Sequence, residues 1–162
     1  MKTYYEQETG LSLIRDKRVA VMGFGAQGRA HALNLRDSGV DVTVGLRQGS
    51  DTREVCQDLD LQVMTPKQAA EHCNVVMVLV PDETQAALYD ECLKDHMPTG
   101  SALLFAHGYN IRYGRIQPRE DLDVLMVAPL GIGDQVRRTF ESGGGVPALL
   151  AIEQDASCLL YT

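Results

Sequence analysis

Three groups of residues in this 162-residue chain have types and spacings suited to chemistry. The first is Gly23-Phe24-Gly25-Ala26-Gln27-Gly28, a G-x-G-x-x-G run. Such a run carries meaning when a strand precedes it and a helix follows. The first glycine then permits a tight turn, the second lets an anion approach the backbone, and the third lets helix and strand pack closely. The free N–H groups and partial positive charge of the helix start meet the anion. Here Arg18 to Met22 reads as the strand and Ala26 to Asp37 as the helix, ending near Gly39. The reading is a dinucleotide-binding loop, against the alternative of a glycine-rich turn with no ligand.

The second group lies about twenty residues on, at the end of the next strand. A site for NAD usually places Asp or Glu there, on the ribose 2′-hydroxyl. This chain reads Leu46-Arg47-Gln48-Gly49-Ser50-Asp51-Thr52. Arg47 stands in the acid's place, and a guanidinium with the Ser50 and Thr52 hydroxyls suits a dianionic 2′-phosphate. NADP is therefore favoured over NAD, with Asp51 as the counter-signal. The third group is His107, just past the apolar run Leu103-Leu104-Phe105-Ala106. That places it at the carboxyl edge of a strand, where ligands sit in open α/β sheets. A structural loop histidine is the competing reading.

The elements that must hold these residues follow from the apolar runs. Strands are expected at Arg18–Met22, Val42–Leu46, Leu61–Met64, Val75–Val80, Ala102–Ala106, Val124–Ala128 and Ala148–Ile152. Between them, helices are expected at Ala26–Asp37, Arg53–Leu59, Pro66–His72 and Glu83–Lys94. Val75 to Val80 shows no alternation, as expected of a strand covered on both faces. Strand, helix, strand in repetition implies parallel strands with crossover helices. The fold class is α/β, a doubly wound Rossmann-type sheet, mostly parallel, with helices on both faces.

Composition is globular: 44% hydrophobic and 23% charged, which excludes disorder. No apolar run approaches a membrane span of roughly 18 residues. The polar, acidic opening from Met1 to Gly10 does not read as a signal peptide. The net charge of −7 and the lack of a basic run argue against a nucleic-acid partner. The four cysteines, Cys56, Cys73, Cys92 and Cys158, form no C-x-x-C pair and read as reduced, buried thiols in a cytoplasmic protein. No metal-binding motif appears.

Val19 to Arg47 resembles the N-terminal NADP-binding domain of ketol-acid reductoisomerases. Tyr4-Tyr5, Leu11-Ser12-Leu13-Ile14, Pro81-Asp82-Glu83, Ala106-His107-Gly108, Met126-Val127-Ala128-Pro129, Gly145-Val146-Pro147 and Gln154-Asp155-Ala156-Ser157 continue the resemblance in order. It implies an NADPH- and Mg²⁺-dependent oxidoreductase of branched-chain amino acid synthesis. Such an enzyme converts a 2-acetohydroxy acid of the 2-acetolactate class to a 2,3-dihydroxy acid, and works as a homo-oligomer. The resemblance implies cofactor contacts at Phe24, Gly25, Ala26 and Gln27, at Arg47, Ser50 and Thr52, at Asp82, Glu83, Thr84 and Gln85 in the loop after the fourth strand, and at Gly133. It marks His107 as the active-site histidine.

Two departures stand out. The chain reads Ala128-Pro129-Leu130-Gly131-Ile132-Gly133, with Leu130 where the family carries a lysine that serves the active site. The family's C-terminal helical domain, whose carboxylates hold Mg²⁺, has no counterpart, and residues 158–162 do not look like the family's continuation. The expected organisation is an NADP-binding domain over residues 1–157 and a non-family tail over 158–162. Residues 1–162 alone are expected to bind NADPH without catalysing. The alternatives are a stand-alone NADP-binding or sensing module, and another small dehydrogenase of the β-hydroxyacid or prephenate group.

Overall fold

The computed structural model describes residues 3–4 and 10–158; the lead-in residues 5–9 and the tail residues 159–162 lie outside the described residues. A seven-stranded sheet forms the centre, with strand order β3-β2-β1-β4-β5-β6-β7. Its strands are β1 (Arg18–Met22), β2 (Asp41–Gly45), β3 (Gln62–Met64), β4 (Val75–Val78), β5 (Ala102–Phe105), β6 (Asp123–Pro129) and β7 (Ala148–Gln154). The first six are parallel, and β7 runs antiparallel to β6 at the edge. The helices are α1 (Ser12–Arg15), α2 (Ala26–Asp37), α3 (Thr52–Asp58), α4 (Pro66–His72), α5 (Asp82–Leu88), α6 (Tyr109–Arg112) and α7 (Gly133–Glu141).

Two apolar layers clamp the sheet. Val19, Val21, Leu33, Val44 and Cys56 pack with α2 and α3 on one face, and Ala20, Met22, Val76, Leu93 and Phe105 pack on the other. A strand covered on both faces buries apolar side chains without alternation, as Val19–Met22 of β1 and all of β4 do. The chain builds β1-β2-β3 outward, then returns through α4 to lay β4 on the other side of β1. This reversal opens a crevice at the carboxyl ends of β1 and β4. The start of α4 is set locally. Pro66 occupies its first turn, and Thr65 and Gln68 bond reciprocally as a capping box.

Several elements differ from the sequence reading. The strand expected at Val75–Val80 ends at Val78, with one further bond from Leu79 N–H to Met22 O at 3.0 Å, and Val80 packs over Gly23, where a Cβ would sit 2.8 Å from Val80 Cγ1. The residues Asp82 to Gln85 are the first turn of α5, not a loop. The expected helix Glu83–Lys94 is instead α5 followed by a π-helical turn, Tyr89–Leu93. The wider turn buries both Tyr89 and Leu93, and Tyr89 Oη accepts the Arg119 N–H at 3.0 Å. Helix α7 has no counterpart in the sequence reading. It packs on α2 largely through polar contacts: Arg137 donates to Asn34 Oδ1 at 2.9 Å and to Asp37 Oδ2 at 2.6 Å. Val136 is its buried apolar side chain, and Val136 and Phe140 form a single i, i+4 pair, too short a pattern to mark a helix from sequence.

Candidate functional site

The carboxyl end of β1 delivers the glycine run. Gly23 has φ +96°, a left-handed conformation that glycine adopts without strain. Gly25 then caps α2 with extended backbone (φ −75°, ψ −167°), and no side chain occupies the cap. The first-turn amides of α2 are therefore available to an anion. A Cβ at Gly28 would collide with the Gly23 carbonyl oxygen, so this glycine serves packing. A Cβ at Gly25 would meet nothing within 4 Å, so this glycine faces open space. The two glycines thus differ: Gly28 is closed by packing and Gly25 is open.

Gly133, 105 residues beyond Gly28 in sequence, lies against the same loop. A Cβ there would collide with the Ala26 carbonyl oxygen, so the start of α7 seats directly on the start of α2. Gln27 reinforces this seat, donating from Nε2 to Gly131 O at 2.8 Å. Its other amide atom, Oε1, is buried without a protein partner. A cavity of about 580 Å³ opens beside Phe24, Gly25 and Ala26 and runs between α2 and α7 past Arg29 and Arg138.

Arg47 is exposed at the end of β2, and Ser50 and Thr52 approach each other with hydroxyls 2.9 Å apart. Thr52 opens α3, and the exposed Asp51 precedes it. Arg53, which the sequence reading left unassigned, is anchored here by donation from Nη1 to Leu46 O at 2.9 Å. Its signal was a cation in the first turn of α3, next to a polar loop, too weak to separate from solvated surface.

On the other side of the crevice, β4 leads into Pro81 and α5, and β5 leads into His107. His107 Nδ1 lies 2.8 Å from Asp82 Oδ2. Its side chain is otherwise largely exposed, with the Tyr109 ring stacked at a centroid distance of 6.4 Å. Gln85 is buried and bonded internally, to Val80 O and Asp82 Oδ1, while Glu83 and Thr84 are exposed. Thr84 Oγ1 donates to Pro81 O. A second cavity of about 210 Å³ lies between Gln27, Val80, Asp82, His107 and Pro129. The glycine run therefore borders both cavities, the larger between α2 and α7 and the smaller toward His107, while Arg47, Ser50 and Thr52 line neither. Leu130 and Ile132, in the segment between Pro129 and Gly133, are exposed, and their side chains offer neither charge nor hydrogen bonds. Asn110, unassigned from sequence, is buried beside Asp82 and Gln85.

His31 and the cysteines line neither cavity. His31 sits on α2 with its Nε2 buried and unpaired, and burial holds its pKa below the ordinary value. Cys56 and Cys73 are buried free thiols, whereas Cys158 is exposed rather than buried as expected. Among the described residues, no three His, Cys, Asp or Glu side chains converge as a metal site. No helix of the described residues is long and apolar enough to cross a membrane.

A sequence model described as the acetohydroxy acid isomeroreductase NADPH-binding domain matches residues 13–159. The chain belongs to the ketol-acid reductoisomerase family. The ketol-acid reductoisomerase (NADP(+)) of Kocuria rhizophila is 52% identical over 156 residues, which cover 96% of this chain and 46% of that protein. The chain thus spans about half the length of the curated relatives it matches. The solved NADH-preferring ketol-acid reductoisomerase from an uncultured archean superposes with a TM-score of 0.92 at 40% identity, over 98% of this chain and 49% of that one. A Mycobacterium tuberculosis 3-hydroxyisobutyrate dehydrogenase shares the fold alone, with a TM-score of 0.66 at 13% identity over 88% of this chain and 48% of that one. This reductoisomerase domain is accordingly an NADPH-binding unit of Rossmann type, and the other-dehydrogenase alternative is set aside.

Proposed function

We propose that the chain supplies the cofactor half of an NADPH- and Mg²⁺-dependent ketol-acid reductoisomerase, which converts a 2-acetohydroxy acid to a 2,3-dihydroxy acid in branched-chain amino acid synthesis. The observation that carries this reading is the open approach to the uncapped start of α2 at Gly25, in a chain 52% identical to a reductoisomerase. The α2 amides at Ala26 and Gln27 hold the pyrophosphate, with Phe24 and Gly133 bounding it. Arg47, Ser50 and Thr52 take the 2′-phosphate. The backbone of Asp82 to Gln85 borders the nicotinamide end, beside His107. When bound, NADPH supplies the hydride for the reductive step.

The residues of this chain bind and orient the cofactor, and His107 holds a proton at the edge of the smaller cavity. The apolar walls Val78, Val80 and Pro129 shield that side from water. The described residues offer no ligand set for Mg²⁺, so we assign the ion, and the alkyl shift it assists, to the part of the relatives' length that the chain does not span. A cytoplasmic location and a homo-oligomeric state belong to the same reading. Titration calorimetry of residues 1–162 with NADPH and NADH tests it. One NADPH should bind per chain, more tightly than NADH, and 2-acetolactate with Mg²⁺ should cause no NADPH oxidation. Absence of nucleotide binding overturns the cofactor assignment. Acetolactate-dependent turnover overturns the division of labour. Tighter binding of NADH would align the site with the archaeal relative's stated preference.

A further inference from the structure

Asn110 and Gln85 form a buried amide pair beneath the reactive edge of the sheet, 2% and 3% exposed. Two backbone carbonyls dictate how the pair faces. Gln85 Nε2 donates to Val80 O at 2.9 Å, and Asn110 Nδ2 donates to Asp82 O at 2.9 Å. A carbonyl oxygen only accepts, so both NH₂ groups must turn toward the chain. The second Asn110 Nδ2 proton then goes to Gln85 Oε1 at 2.9 Å, and the second Gln85 Nε2 proton to Asp82 Oδ1 at 3.1 Å. All four amide protons are used, and one oxygen of the Asp82 carboxylate is pinned. Its other oxygen, Oδ2, faces His107 Nδ1 at 2.8 Å. A carboxylate also only accepts, so Nδ1 carries the proton.

We propose that Asn110 is a positioning residue: acting through Gln85 and Asp82, it fixes neutral His107 as the Nδ1–H tautomer. Nε2 is then the nitrogen left to take or return a proton at the cavity bounded by Gln27, Val80 and Pro129. Packing does not impose this orientation, because the His107 side chain is 67% exposed. The proton balance is closed within the imidazole. A proton arriving at Nε2 makes an imidazolium while Asp82 goes on accepting from Nδ1–H without taking that proton, and the same proton leaves from Nε2. The importance of this tautomer rests on the reductoisomerase reading of His107; the tautomer itself is a property of the folded chain.

Long-range ¹H–¹⁵N spectra of labelled residues 1–162, recorded with His107 neutral, read the tautomer directly. Nδ1 should appear pyrrole-like and Nε2 pyridine-like. Asp82→Asn should lower the Nδ1–H to Nε2–H ratio by roughly tenfold or more, as expected for losing a charge-assisted bond. Asn110→Ala should lower it by roughly two- to fivefold, because Asp82 keeps its charge but loses its support. Should Asn110→Ala fail to fold, Asn110→Leu fills a similar volume without any donor and supplies the same comparison. An Nε2–H tautomer in the unsubstituted chain, or an unchanged ratio in a folded Asn110 variant, overturns the proposal. NADPH titration of the same samples separates the two levels: lost binding with the Nδ1–H tautomer intact refutes the cofactor reading and leaves the positioning inference standing.

Discussion

Gly25 and Gly28 lie three residues apart, and the structure gives their substitution opposite consequences. At Gly25 the backbone is extended and a Cβ meets nothing within 4 Å, so Gly25→Val strains nothing in the free protein. The exchange weakens a helix cap by about 1 kcal/mol at most, which shifts Tm by roughly 2–4 °C at this chain length. The added methyls do fill the space through which a pyrophosphate reaches the α2 amides. Losing two charge-assisted bonds at about 1.5 kcal/mol or more each removes about 3 kcal/mol, so NADPH should bind roughly 100-fold more weakly.

At Gly28 helix propensity alone predicts a gain of about 1 kcal/mol for Gly28→Ala. The new Cβ, however, meets the Gly23 carbonyl oxygen, a backbone atom with no rotamer to yield. Overpacking at its upper range costs about 3 kcal/mol, leaving a net loss of about 2 kcal/mol and a Tm drop of roughly 4–8 °C. Titration and scanning calorimetry on both variants make the comparison. A folded Gly25→Val chain with undiminished NADPH affinity, or a Gly28→Ala chain more stable than its parent, refutes the reasoning.

Arg47→Ala should weaken NADPH by roughly 10–100-fold, the worth of one charge-assisted bond, and leave NADH nearly unchanged; equal losses for both cofactors in calorimetry would reassign Arg47 to the pyrophosphate or to folding. Thiol labelling followed by mass spectrometry should modify the exposed Cys158 first, whereas Cys56, buried and with its pKa pushed up to about 11 by that burial, should react only on unfolding. The Arg119 guanidinium holds the Asp121 carboxyl down at about 2, against an ordinary value of 3.8. A depressed carboxylate pKa contributes stability above the unfolded value and loses it as pH falls through the folded one. Acid unfolding of the chain and of Asp121→Asn should therefore differ above pH 4 and converge toward pH 2, and curves that run parallel through that window would remove the ion pair from the account.

The local features were legible because they depend on near neighbours in sequence. Arg18–Met22, Ala26–Asp37 and Pro66–His72 match their elements to the residue, since a glycine-flanked apolar run, a strand-to-helix glycine motif and a proline at a first turn each carry their cause within a few residues. The α/β class followed from their alternation. Where packing overrides local pattern the reading slipped: the π-helical turn at Tyr89–Leu93 exists to bury two side chains, and α7 is held by Arg137 reaching Asn34 and Asp37 across about a hundred residues of sequence.

The same division applies to the site. The sequence by itself determined that a glycine-rich strand-to-helix turn follows β1, that a guanidinium stands at the end of β2 where an acid is usual, and that His107 follows a strand at the carboxyl edge of the sheet. Those are statements about residue type and spacing, which backbone geometry converts directly into position. Only the tertiary structure decided that Gly133 seats against Ala26, that Gln85 turns inward rather than toward a ligand, and that Asp82 faces His107. Each of these is a contact between elements joined by long crossovers. Its partner is chosen by how the sheet reverses between β1 and β4, and no window of sequence contains that choice.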